Sequence, residues 1–202
     1  MFRAAGESAT FVGTEIKGPE TLDGVLFPRE NEGRSGWAIA QTEAPFQRRG
    51  GLTEIVESSF EKSKPQIVLL HIGTNDIGSV VTLPMDYVPT MNERLEILVD
   101  RIEKAAPKAL LVVAQILPMG GGPPFEDPTN KQIKIYNAGI RAMVERRRAR
   151  GQWILTVDMW TAFATNKDYN KLAGDGIHPS DAGYDVMAKV WHDAIAPYLI
   201  RR

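Results

Sequence analysis

The sequence predicts an α/β fold with a mainly parallel sheet, and three observations predict it. Residues 66–72 (QIVLLHI) and 109–116 (ALLVVAQI) are near-continuous apolar runs with β-branched residues, the pattern of strands buried on both faces. Residues 153–158 (WILTVD) read as a third strand. Segments of helical period stand between these runs and after the last one, and such alternation of strand and helix marks the α/β class.

The elements follow in order. Residues 9–13 (ATFVG) read as a short strand, and residues 17–34, polar and rich in Gly and Pro, as a long loop. Residues 52–60 read as a short helix. A helix over about 90–106 carries Met91, Leu95, Leu98, Ile102 and Ala105 on one side, and Pro107 stops it. The second strand leads into a breaker-rich loop, PMGGGPPFEDP. A long helix then runs over about 130–150, with Thr129 as its N-cap and Gly151 just past its end. Ser180 caps a last helix carrying Tyr184, Met187, Val190, Trp191 and Ile195.

A chain of 202 residues fits one ordinary domain with a real core, and residues 1–202 are read as that single domain. A formal charge of -1 implies no global attraction to nucleic acid or to a membrane. There is no cysteine, which excludes disulfides, thiolate catalysis and cysteine metal sites. No apolar run approaches the roughly 20 residues of a membrane span. The start, MFRAAGESATFVG, holds no apolar stretch of the signal-peptide kind. The expected location is cytoplasmic as encoded, or secreted if the start is truncated.

In open α/β sheets, sites form at the carboxyl ends of the strands. Asp175-Gly-Ile-His178-Pro-Ser lies in a loop directly before a helix. An Asp three residues ahead of a His can accept a bond from the ring Nδ1–H, which leaves Nε2 facing out as a general base. The competing reading is a surface turn that Asp caps. Gly73-Thr-Asn75-Asp76 follows the first buried strand, where an Asn amide can donate to a developing oxyanion. A plain Gly/Asn turn fits the same residues. In Glu32-Gly-Arg-Ser-Gly36-Trp37 a glycine can offer its backbone N–H where a side chain would block approach.

Together these segments come in the order of the blocks of the SGNH (GDSL-type) hydrolases, and FVGT at 11–14 and YNAGI on the long helix match as well. The sequence resembles that family from about residue 2 to 199. It is most similar to the carbohydrate O-acetylesterase-like subgroup with a (D/E)xEGxSGW second block, many of whose members deacetylate plant polysaccharides. The resemblance implies a flavodoxin-like three-layer α/β/α sandwich and a serine-type carboxylesterase or acetylesterase acting on small acyl esters, O-acetylated carbohydrate among them. His178 would be the general base, Asp175 its orienting partner, Gly36 a backbone oxyanion donor and Asn75 a side-chain one. No metal or organic cofactor is implied, and the expected partner is a small-molecule or carbohydrate ester.

The family's first block, a strand ending in Gly-Asp-Ser and then a helix, has no counterpart here. MFRAAGE resembles the tail of that helix. Gly6-Glu7-Ser8 superficially resembles Gly-Asp-Ser, so Ser8 is a nucleophile candidate, yet only five residues precede this motif and no helix separates it from FVGT. Ser35 and Ser79 read as loop residues. The expectations are therefore a truncated start, a sheet that closes across a second copy through exposed edges, or a different strand order, and truncation is the reading adopted. A relative that binds a sugar or ester without turnover is the alternative function, and a scaffold assembling through bare sheet edges is the third. Of the rest, His71 reads as a packed, hydrogen-bonded histidine and His192 as partly exposed. Glu145 to Arg148 read as a solvated helix end. Trp37 and the loop from Gly120 to Pro124 fit either a pocket lining or packing, and Asp76 is read as orienting Asn75.

Overall fold

An apolar strand with no partner leaves a polar edge, so the three apolar runs are driven to pair with one another. The computed structural model describes residues 7–22, 24–41, 50–78, 87–120, 122–123 and 125–201; Met1 to Gly6, Ser79, Gly121 and Pro124 lie outside them. The chain begins with β1 (Glu7–Ser8), then β2 (Glu15–Ile16), β3 (Thr21–Leu22), β4 (Val25–Leu26) and β5 (Glu30–Asn31). A single 3-10 turn over Leu52–Glu54 precedes α1 (Val56–Ser63), then come β6 (Ile67–Leu70), α2 (Thr74–Gly78), α3 (Tyr87–Ala105) and β7 (Leu110–Ala114). The rest is α4 (Pro128–Ala149), β8 (Ile154–Val157), α5 (Met159–Ala164), α6 (Tyr169–Leu172), α7 (Asp181–Ile195) and β9 (Ile200–Arg201).

The predicted parallel strands pair in the order β6-β7-β8, with Ile67 opposite Leu110 and Leu111 opposite Ile154. The remaining ladders are small and antiparallel: β2 with β5, β3 with β4, and β1 with β9. Helices cover this sheet on both faces. Leu70, Leu111, Val113 and Ile154 share a core with Met91, Leu95 and Leu98 of α3 and Ile133, Tyr136 and Ile140 of α4. Leu110, Val112, Ala114 and Val157 share a second core with Met159, Phe163, Tyr169, Leu172 and Ile195 from α5, α6 and α7. That alternation follows from the two-residue period of a strand.

Several expectations are corrected. Residues 17–34 are not a plain loop, because two-residue ladders fold them into paired arms. Residues 9–13 form no strand; strand geometry is stable only with a ladder partner, and no described strand adds to the outer edge of β6. For the same reason β6 is not buried on both faces: Leu69 is 41% exposed on the side that α5 to α7 leave uncovered. The N-cap of α4 is Asp127, whose carboxylate accepts from the Asn130 N–H at 3.0 Å, and Pro128 occupies the first turn. The helix therefore starts two residues earlier than Asn130. Tyr184 of α7 is exposed, since its side of the helix faces away from the core.

The basic end of α4 is corrected too. Arg147 is buried, and its guanidinium donates to Glu96 at 2.6 Å and Asp100 at 2.7 Å, with Glu103 at 3.6 Å. The helical stripe explains this, because Ile133, Ile140, Val144 and Arg147 recur at spacings of 7, 4 and 3 and face α3. Among the described residues no helix is long and apolar enough to cross a membrane.

Candidate active site

The carboxyl ends of β6 and β7 and the turn before α7 bring the singled-out segments to one end of the parallel sheet. Gly73 opens the GTND turn with φ +117, and a Cβ there would sit 2.5 Å from Cε1 of Tyr136. Only glycine lets the turn lie flat on that ring. The Tyr136 hydroxyl donates to the Ile72 carbonyl at 3.2 Å, so α4 supports the strand end from beneath.

Two neighbours in this turn then reach the segment after Gly36. The Asn75 amide donates to the Trp37 carbonyl at 2.9 Å. The buried Asp76 carboxylate accepts from the Ile39 N–H at 3.1 Å and from Arg94 of α3 at 3.1 Å. Burial raises the Asp76 carboxyl above its ordinary range, against the opposing pull of the Ile39 and Arg94 bonds. Asn75 and Gly36 are thus brought together through Trp37. Asp76 grips Ile39, so the orientation of Asn75 comes from its own bond to the Trp37 carbonyl.

The loop that presents Gly36 is fixed by Glu32. Its carboxylate accepts from the Thr14 backbone at 3.0 Å, from Arg34 Nη2 at 2.7 Å and from Ser59 of α1 at 2.5 Å. Burial would raise the Glu32 carboxyl, but the Ser59, Arg34 and Thr14 bonds outweigh it and hold the group below its ordinary value. Gly36 takes φ +77, which favours glycine, and the Arg34 guanidinium lies 4.8 Å from the Trp37 ring centre.

Asp175 and His178 form the second pair. Asp175 Oδ1 accepts from the backbone N–H of Ile177 at 2.9 Å and of His178 at 2.7 Å, and Oδ2 sits 2.8 Å from Nδ1 of the ring. A carboxylate only accepts, so Nδ1 carries the proton and Nε2 of the neutral ring keeps its lone pair. The backbone and ring donors of His178, followed by the Ile177 N–H, hold the Asp175 carboxyl well below the usual carboxylate range. The His178 side chain is 74% exposed, open to a reactant. This turn is joined to the loop after β7: Gly120 N–H donates to the Gly176 carbonyl at 2.8 Å, and Tyr169 donates to the Gly120 carbonyl at 3.1 Å.

Ser8 stands elsewhere. Its backbone pairs with Ile200, beyond the carboxyl end of α7, whereas His178 precedes that helix. Fifteen helical residues span about 22 Å. Tyr198 packs on Trp153 just ahead of β8, which puts residues 198–200 at the amino end of the sheet. Ser35 is an exposed turn residue beside Gly36. His71 is packed but, against expectation, its buried Nε2 has no hydrogen-bond partner among the described residues. His192 is half-buried, with Asp193 at 3.6 Å from its ring. No group of three or more His, Cys, Asp or Glu able to hold a metal occurs among the described residues.

Sequence reasoning missed Asn130 and Asn137 of α4. Asn137 accepts from the Ile116 N–H at 2.9 Å and donates to the Ile116 carbonyl at 3.0 Å; Asn130 does the same for Met119, at 3.0 and 2.6 Å. They clasp the chain as it leaves β7. Their signal is positional: 130, 133, 137, 140 and 144 form one stripe at spacings of 3 and 4, on which two asparagines replace apolar residues.

Known proteins share the fold of this chain. A family 3 carbohydrate esterase from Clostridium thermocellum is 27% identical, covers 95% of this chain and 79% of its own, and superposes with a TM-score of 0.69. A carbohydrate esterase family 3 structure from Talaromyces cellulolyticus, 21% identical over 94% of this chain and 81% of its own, shares the fold with a TM-score of 0.69. A multidomain esterase of Ruminococcus flavefaciens is 25% identical over 94% of this chain, which spans only 25% of that protein's length. Residues 17–186 match the GDSL-like lipase/acylhydrolase family, and by that match over most of its length the chain belongs to it.

Proposed function

We propose that residues 1–202 form a single SGNH-type domain whose site hydrolyses small acyl esters by acyl transfer, with O-acetylated carbohydrate as the substrate class. The observation that carries this is the Asp175–His178 pair, its ring proton fixed on Nδ1 at 2.8 Å and its other face open. In this reading Nε2 takes the proton of a serine hydroxyl as that oxygen attacks the ester carbon. The carbonyl electrons move onto oxygen, where the Gly36 N–H and the Asn75 amide receive the charge. Collapse expels the alcohol with the proton from His178, and water repeats the sequence on the acyl-enzyme. The carbohydrate assignment is supported by the Clostridium thermocellum relative, a family 3 carbohydrate esterase.

The finer architecture belongs to the same reading. The full sheet is a flavodoxin-like sandwich in which a further strand lies on the open edge of β6 and carries the nucleophile. Half-exposed Leu69 supports that placement. A second copy could fill the same edge, which native mass measurement reads as a dimer. Ser8 is not the nucleophile in this account, since its backbone lies beyond the far end of α7.

Turnover of nitrophenyl acetate by a protein that carries this nucleophile strand tests the proposal. His178→Ala is expected to lose at least about 10² in rate and Asn75→Ala about 10²–10³ in kcat. Activity untouched by both changes would end it. The position of Ser8 favours one second reading, a relative that binds ester or sugar without turnover; stoichiometric labelling of any serine by a fluorophosphonate rejects that reading.

A further inference from the structure

The oxyanion-side loop is tied to a helix that makes no contribution to the reacting atoms. Arg94 sits on α3, donates to Oδ1 of Asp76 at 3.1 Å, and is itself only 23% exposed at the side chain. Oδ2 of the same carboxylate accepts from the Ile39 N–H at 3.1 Å. One residue earlier, Asn75 donates to the Trp37 carbonyl at 2.9 Å. Adjacent side chains of one turn therefore grip positions 37 and 39, immediately after Gly36. The Asp76 side chain has no exposed surface, so its charge is not held by water. An ionised carboxylate in such a place needs a cation within reach.

We infer that Arg94 is a positioning residue for the proposed oxyanion donors, acting through Asp76 to hold the backbone from Gly36 to Ile39 against Asn75. The inference rests on the assignment of Gly36 and Asn75 made above. Without the cation, Asp76 takes up a proton, and a neutral carboxyl accepts more weakly from Ile39 than a carboxylate does. The 36–39 segment keeps its bonds to Asn75, Gly50, Leu52 and Thr53 but loses the grip on the Ile39 N–H from the site side, and displacement of a donor by about 1 Å costs on the order of 10² in rate.

The test compares wild type, Arg94→Met and Arg94→Lys, each with the nucleophile strand present, in steady-state turnover of nitrophenyl acetate and in backbone hydrogen exchange. Arg94→Met is expected to lower kcat about 10- to 100-fold with KM changed less than about twofold, and to speed exchange at Ile39 while β7 amides stay protected. Arg94→Lys, which keeps the charge, is expected to recover a large part of kcat. Unchanged kcat with unchanged Ile39 protection in Arg94→Met would overturn the inference while leaving the function reading intact. So would a loss of protection spread evenly over β7 and Ile39, which marks a purely structural role. Wild-type turnover insensitive to His178→Ala would remove the function reading, and this inference with it.

Discussion

Acidification places a specific demand on His71. This residue directly follows β6, and its Nε2 is shielded from solvent with no acceptor or donor against it among the described residues. Burial pushes the ring down from 6.5 to about 4. The folded protein therefore prefers the neutral ring. Above pH 6.5 the ring is neutral in both states and contributes no pH dependence. As pH falls below 6.5 the unfolded chain binds a proton that the folded chain refuses, so stability drops by about 1.4 kcal/mol per pH unit until pH about 4. The whole window is worth about 3 kcal/mol, a large share of the roughly 5–15 kcal/mol of a typical domain. Urea denaturation from pH 7.5 to 4 should show this loss in wild type. His71→Leu removes the titrating ring and the unpartnered nitrogen, and its stability should exceed wild type increasingly toward pH 4. Parallel wild-type and His71→Leu curves across that window would refute the reasoning.

Two further changes test the scaffold under the site. Gly73→Ala meets both a left-handed φ and the Tyr136 ring, and should cost about 3 kcal/mol by denaturant midpoint; a loss under about 0.5 kcal/mol would show that Tyr136 yields freely. Asn137→Ala strips the buried N–H and carbonyl of Ile116 of their partner and should cost about 3 kcal/mol, read as a lower urea midpoint with an unchanged slope.

The legible part of this fold is the part governed by periodicity. Met91, Leu95, Leu98 and Ile102 announce α3, and the five fully apolar residues of β7 announce a strand with helices on both sides. The illegible part depends on contacts that the local pattern does not carry. The ladders within 15–31 involve two residues per strand, too few to show alternation, and Gly18 and Gly24 read as loop whether or not the arms pair. Residues 66–72 look doubly buried because the sequence records side-chain apolarity and not which neighbour covers Leu69. At the candidate site, the Asp175–His178 contact was legible from a three-residue spacing. The link from Asn75 to Trp37 crosses 38 residues and was not legible; family resemblance implied only that Asn75 and Gly36 serve one oxyanion hole. Arg94, Asn130 and Arg147 were hidden because a polar residue on a helix is read as solvated by default, although the stripe of α4 places two of them on its buried side.

The two halves of the proposed site are held in physically different ways. On one side, Asp76, Arg94 and Tyr136 grip the GTND turn and the chain at Ile39 through groups withdrawn from water, so opening that side exposes a buried ion pair and the strand end together. On the other, the Asp175 bonds that orient His178 lie within a four-residue, largely exposed turn, which is tied to the body by the Gly120–Gly176, Gly176–Ala173 and Ser180–Leu172 backbone bonds and, through Gly120, by Tyr169. Local opening is cheapest where hydrogen bonds are exposed and apolar contacts few. The turn around His178 should therefore exchange its amides with solvent well before Ile39 does. Substitutions that loosen the core should reach the oxyanion side first, while the base side answers to Tyr169 and to the loop it anchors.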